Sequence, residues 1–246
     1  MSIKNMILGD KNIVRAYKNN EIIFERGEPY IEPIGPGLYE TGGYIHIDDL
    51  ELEYGYKYEI DFLAPNNYAF ASFNNHACII GGSYTKSGDN YYGMFVGFPY
   101  SSYASNGIGI RRNSYLRSGG FAPKVQTPYT PGIRQTISIT YSDPSEDLVR
   151  TDGGFFLFAA RAYDTGNEWY LPAAGSYMNE QTTHLYGLNG VSEFGKYYRI
   201  TIMDANDNIL RNFIPKVVNG HKGMYDTITE KFYACADDSK FNIGRA

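Results

Sequence analysis

Apolar and polar residues alternate along most of this chain in short runs, and the runs stop at Gly, Asn, Asp, Ser or Pro. Tyr56-Lys-Tyr-Glu-Ile-Asp-Phe62 and Gln135-Thr-Ile-Ser-Ile-Thr-Tyr141 change side at every residue, the period of a strand with one face buried. The same grammar predicts strands at 44–47, 68–73, 78–80, 92–96, 107–110, 154–159 and 197–202. Nearer the carboxy end, two apolar runs flank Asp204-Ala-Asn-Asp-Asn208, a turn by its side-chain chemistry. Pro215 is expected to close the second run, because proline has no backbone donor. Gly223-Met-Tyr-Asp226 then leads into a hairpin at Lys231-Phe-Tyr233, with Gly223 read as a residue of unusual backbone freedom.

No stretch carries the apolar period of an amphipathic helix. Many short strands with frequent turns predict an all-β fold, an antiparallel β-sandwich or jelly roll. No fixed-period repeat, heptad or collagen-like run occurs, which argues against a propeller, a solenoid or a long fibre shaft. Residues 1–26 read as a β-hairpin segment of their own, with strands at 13–17 and 21–24 around Lys18-Asn19-Asn20. Residues 27–37 hold three prolines and read as an extended Pro/Gly linker. Residues 38–246 read as one sandwich.

With 246 residues the chain can bury a sizeable core. Its formal net charge is −5, and its 22 Lys and Arg are scattered, so nucleic acid is not an expected partner. No apolar run approaches the roughly 20 residues of a membrane-spanning helix, and Asp10 interrupts any secretory leader. Cys78 and Cys235 are the only cysteines; they read as two reduced, buried thiols of a protein made in a cytoplasm. Tyr contributes 24 residues and Phe 14, while only 20% of the chain is charged. A Tyr-rich surface poor in charge suits contact with other surfaces, since Tyr offers area at small entropic cost.

The carboxy-terminal half carries a more specific pattern in Phe155-Phe-Leu-Phe-Ala-Ala160, Tyr198-Arg-Ile-Thr-Ile-Met-Asp204, Asn208-Ile-Leu-Arg-Asn-Phe-Ile-Pro215 and Gly223-Met-Tyr-Asp-Thr-Ile-Thr-Glu-Lys-Phe-Tyr233. Over residues 154–244 it resembles the concanavalin A-like, laminin-G-type jelly-roll modules of bacteriophage tail, fibre and other virion proteins, especially of phages that infect gut bacteria. From 38 to 153 only strand spacing supports the likeness. Ala16-Tyr-Lys-Asn-Asn-Glu-Ile-Ile-Phe24 is similar to a short hairpin that opens many phage structural proteins. The resemblance implies a virion structural protein of tail, fibre or head surface, synthesised in the host bacterial cytoplasm. It further implies docking to other virion proteins through the amino-terminal segment, homo-oligomerisation, and attachment to host surface glycans. No cofactor is expected. A stand-alone carbohydrate-binding module of a prophage or bacterial surface system is the alternative, and a glycan depolymerase the second.

Candidate chemistry is sparse. Hydrolases of this fold carry Glu-x-Asp-x-x-Glu on one strand, where alternation puts the acids on one face about 5.5 Å apart. Here Glu59-Ile-Asp61-Phe-Leu-Ala64 ends in Ala, so the second carboxylate is missing and no enzyme activity is expected. Asp204 to Asn208 opens like a calcium loop, but Ile209 and Pro215 stand where Gly and Glu are required; Asp48 and Asp49 remain as scattered carboxylates. His46, His76, His184 and His221 lie far apart without ligand spacing. Gly107-Ile-Gly-Ile-Arg-Arg112 lacks the third glycine of a dinucleotide loop. The candidate ligand-binding residues are aromatic: Tyr91, Tyr92, Tyr100, Tyr103, Trp169 and Tyr170, set in loops among Asn, Ser and Gly. Packing in the core or against a neighbouring subunit is their first reading, and stacking on sugars the second.

Overall fold

Alternation in the sequence becomes an antiparallel all-β architecture in the computed structural model, with no α-helix among the described residues. The described residues are 7–8, 11–12, 15–18, 21–25, 27–33, 44–50, 55–64, 76–82, 85–87, 90–92, 94–98, 107–112, 125–140, 155–158, 160–163, 169–170 and 195–246. The strand expected at 68–73 lies outside them.

Strands β1 (Ile7–Leu8) and β2 (Lys11–Asn12) pair with each other, as do β3 (Arg15–Lys18) and β4 (Glu21–Glu25). Next come β5 (Pro29–Pro33), β6 (Ile45–Ile47), β7 (Lys57–Leu63) and β8 (His76–Gly82). Strands β9 (Thr85–Ser87) and β10 (Asn90–Tyr92) form another small pair. Strands β11 (Met94–Phe98), β12 (Gly107–Arg112), β13 (Val125–Pro128) and β14 (Arg134–Thr140) follow. Then come β15 (Phe155–Leu157), β16 (Ala160–Tyr163) and β17 (Trp169–Tyr170). The carboxy-terminal run is β18 (Lys196–Met203), β19 (Ile209–Val218), β20 (His221–Asp226), β21 (Lys231–Ala234) and β22 (Phe241–Arg245).

Two large sheets result. One runs β13-β12-β11-β8-β15-β6, with β16 also on β8 and β17 on β16. The other runs β14-β7-β18-β19-β20-β21, and β5 joins it by pairing with both β18 and β22. Alternate residues of β7, namely Tyr58, Ile60 and Phe62, are buried while Lys57, Glu59 and Asp61 face outward. Ile45, Ile47, Ile80, Val96 and Leu157 of the first sheet share one apolar cluster with Phe62, Ile137, Tyr197, Ile200 and Phe213 of the second. At one margin the sheets meet directly, through an antiparallel bridge between Ile45 and Cys235 and a bond from the Ala236 amide to the Tyr44 carbonyl at 3.0 Å. Burial of aromatic and branched side chains supplies most of the drive.

Three local expectations are corrected. Within the stretch expected as a linker, Pro29–Pro33 is a strand with Ile31 fully buried and paired to Tyr197 and Ile243. Its prolines occupy the two ends, where a missing donor is tolerated, and Tyr-Ile-Glu between them alternates as a strand. Pro215 does not end β19, which continues to Val218 opposite β20. Asn219 and Gly220 both have positive φ, as a two-residue type I′ turn requires. Counting back from that turn, Val218, Lys216 and Ile214 bond to β20, and Pro215 faces away from it. On that other side β18 has already parted from β19 beyond Phe213, so no ladder bond is lost.

Gly223 is the third correction: its φ is not in the left-handed region. Space is the reason for glycine, since an added Cβ would run into the Tyr233 carbonyl oxygen and lie 2.7 Å from the Phe232 ring. Backbone cannot swing aside as a side chain can. Gly223→Ala is expected to cost about 1–3 kcal/mol, read as a lower urea midpoint at unchanged slope.

Candidate functional site

Of the aromatic residues singled out in the sequence, four have a described backbone. Tyr91 and Tyr92 lie in β10, opposite Lys86 and Thr85. Trp169 and Tyr170 lie in β17, opposite Tyr163 and Ala162 of β16. Tyr91, Trp169 and Tyr170 were expected in loops and Tyr92 where a loop meets a strand; the backbone of all four lies in strands. They belong to two separate strand pairs, and Tyr100 and Tyr103 lie outside the described residues.

A better-built feature sits on the outer face of the second sheet. Strand β18 carries a bulge: Tyr197 is opposite Phe62 and Arg199 opposite Asp61, which leaves Tyr198 as an extra residue. Bulges re-aim side chains. Tyr197 packs inward on Phe62 with ring centroids 6.0 Å apart, while Tyr198 and Arg199 both line a pocket on the opposite side. That pocket, about 160 Å³ and open to solvent, is also lined by Glu28, Asp61, Arg134 and Ile214.

Arg134 is its rigid element. Its Nε and Nη2 donate to the two Asp61 carboxylate oxygens at 3.0 and 2.7 Å, and Nη2 also pairs with Glu28. The guanidinium carbon lies 3.7 Å from the centre of the Tyr198 ring, a cation–π stack that fixes the plane of both groups. The Asp61 hydrogen bond, followed by Glu28, raises the Arg134 pKa and keeps it charged. Burial raises the Tyr198 pKa, against the opposing charge of Arg134. Tyr30 meets the Tyr198 ring edge-on at 5.9 Å and carries Lys196 Nζ at 4.5 Å from its own centre. Arg199 is exposed and makes no ion pair among the described residues.

No family model, curated protein or solved structure matches this chain.

The pocket residues were not legible as a site in the sequence. Alternation did place Asp61 on an outer face, but nothing local marks a bulge at Tyr198 or brings Arg134 across from β14.

The other sequence candidates have structural partners. Asp204 Oδ1 accepts from the Asn206 and Asn208 amides at 2.8 and 2.9 Å, and Asn208 Nδ2 donates to Oδ2 at 2.7 Å. That side chain holds the β18–β19 turn, in which Asp207 takes a positive φ and pairs with Lys57. His221 Nδ1 is 3.2 Å from Asp238 Oδ2, and the backbone of His76 lies in β8 while His184 is outside the described residues. Cys235 is an unbridged, buried thiol that burial pushes up to about 12. Only the backbone of Cys78 is described. Among the described residues no three His, Cys, Asp or Glu side chains gather as a metal site needs.

Asp48 and Asp49 join the two sheets. Lys231 Nζ donates to Asp48 at 2.8 Å and to Asp49 at 3.1 Å, and the Tyr233 hydroxyl donates to Asp49 at 2.5 Å. The Lys231 hydrogen bond holds the Asp48 carboxyl below its usual range. Burial pushes Asp49 up, but hydrogen bonds from Tyr233 and Lys231 outweigh it and the net direction is down. Carboxyls lowered by folding stabilise fully above their unfolded pKa of about 4, and that contribution disappears as pH falls through the folded value. Tyr233 is raised to about 12, by burial first and Asp49 next, so its contribution is lost as pH climbs through that value. Wild type should therefore lose more stability than Asp49→Asn between about pH 7 and pH 2, by under about 1 kcal/mol since the pairs are half exposed. Urea titrations at the two pH values measure it; equal losses would remove the role.

Proposed function

We propose that this chain is a bacteriophage virion structural protein, a tail, fibre or head-surface component. In this reading the two sheets form a lectin-like jelly-roll sandwich of the concanavalin A type. Residues 1–26 dock it to other virion proteins, and Tyr-rich surfaces and sheet edges join it to further copies of itself. Adhesion to host surface glycans is its outward role, achieved by non-covalent contact.

One observation carries the reading. The strand–turn–strand signature from Tyr198 to Tyr233, on which the resemblance rests, coincides with β18 to β21. Those strands bury Ile200, Ile202, Phe213, Met224 and Tyr233 over the same core that the first sheet covers. The residues that carry the likeness are thus those that hold the fold. Against the depolymerase alternative, Asp61 is bound on both oxygens by Arg134, and Ala64 occupies the position of the second acid.

Mass spectrometry of purified particles from the producing phage tests the proposal. The chain is expected at structural stoichiometry and in cross-links from residues 1–26 to another virion protein. Particles that are complete and infective without it would overturn the assignment.

A further inference from the structure

We propose that the pocket between β14, β18 and the start of β5 binds a monoanionic sugar acid, a uronic-acid residue of a host glycan, with Arg199 taking its carboxylate. The inference rests on the adhesive part of the reading above and names the ligand class and the site.

The one lining guanidinium that forms no ion pair among the described residues sets the ligand's sign. Arg134 offsets one of the two negative charges of Glu28 and Asp61, which hold it in place. Arg199, an exposed residue of the same lining, is left as a guanidinium with no ion-pair partner among the described residues. An unpaired planar fork takes one carboxylate in bidentate fashion. A dianion such as phosphate would add a second negative charge beside two carboxylates, which is unfavourable at this range.

The remaining walls suit a sugar ring better than a bare anion. Ile214 and Pro29 offer apolar surface to ring C–H groups. Glu28 and Asp61 keep lone pairs for ligand hydroxyls, because each carboxylate oxygen can accept more than one bond. The volume, about 160 Å³, admits a single ring and not a drug-sized ligand. The site is also prearranged: the bulge points Tyr198 and Arg199 to the same side, and Arg134 is clamped from two directions. Little ordering is left for the ligand to impose.

Isothermal titration of the full chain with methyl glucuronoside, methyl glucoside and acetate separates the possibilities. The glucuronoside should bind at least about tenfold more tightly than either, since each control lacks one half of the recognition. Arg199→Ala should lower glucuronoside affinity by about tenfold or more, and Arg199→Lys should restore part of it. Arg199 is exposed, so both variants should unfold at the wild-type urea midpoint. Trp169→Ala should leave binding unchanged. Equal affinity for glucoside and glucuronoside, acetate binding as tight as glucuronoside, or an Arg199→Ala protein that binds normally each overturns the inference. Particle composition is a separate measurement, so a chain that is present in virions yet blind to uronic acids sinks this inference alone.

Discussion

Asp226→Ala should lower the unfolding free energy by about 3–5 kcal/mol, the range for stripping one partner from a buried charged network. The carboxylate is fully buried. Its Oδ1 accepts from the Asn212 and Ile228 amides, both at 3.0 Å, and its Oδ2 accepts from the Thr229 hydroxyl at 2.8 Å. Arg211 Nε stands 3.5 Å from the same Oδ2. Alanine would orphan two backbone donors and leave a mostly buried guanidinium without its counter-ion. Asp226→Asn should cost less, because an amide oxygen can still accept from the two amides. Urea denaturation of both variants decides it. An alanine variant within about 1 kcal/mol of wild type would remove the network from the account.

The second large effect is expected at Phe62. Its ring is fully buried between the sheets, parallel to Tyr197 within 14° at 6.0 Å and edge-on to Tyr129 at 5.8 Å. Phe62→Ala removes the centre of that stack and should cost about 3–5 kcal/mol. Should that variant fail to fold, Phe62→Leu keeps the test open with a smaller loss. A cycle of Phe62→Leu and Tyr197→Leu should then return a coupling of about 0.5–1.5 kcal/mol. Strict additivity would show that the rings contribute only buried area. The first prediction concerns β19, β20 and the turn after it, and the second the join of β7 and β18, on which the outer pocket rests.

Asp226 and Pro215 illustrate how much a local motif can say. Gly223-Met-Tyr-Asp226 was readable as leading into a hairpin, and the chain does turn immediately after it, over Thr227 to Glu230, where Glu230 takes a positive φ. The reason for the glycine was not readable. It depends on how closely Phe232 and Tyr233 approach from the next strand, and nothing in four residues specifies that distance. Pro215 misled for a similar cause. A missing donor ends a strand only if a partner waits on that side, and β18 had already turned away. Likewise Ile31 is an ordinary apolar residue among prolines until Tyr197 and Ile243 close on it.

The aromatic candidates show the limit from the other direction. Rings among Asn, Gly and Ser looked like loop contacts, whereas Asn90–Tyr92 and Trp169–Tyr170 are short strands, because a pairing of two or three residues leaves almost no periodic trace. The pocket was hidden for a different reason. Glu28, Asp61, Arg134 and Arg199 are spread widely along the chain, and only the pairing of β14 with β7 and of β7 with β18 brings three of them together.

By itself, then, the amino-acid order determined the class of fold, because side-chain alternation and turn chemistry act between near neighbours and need no partner. It also determined which faces of β7 and β14 would be buried, since a pleat sends successive residues to opposite sides. Tertiary structure alone decided the bulge at Tyr198, the use of Pro29–Pro33 as a strand, and the clamp around Arg134. Each of those depends on which strand lies alongside, a relation set by packing the whole core and not by any residue's immediate sequence.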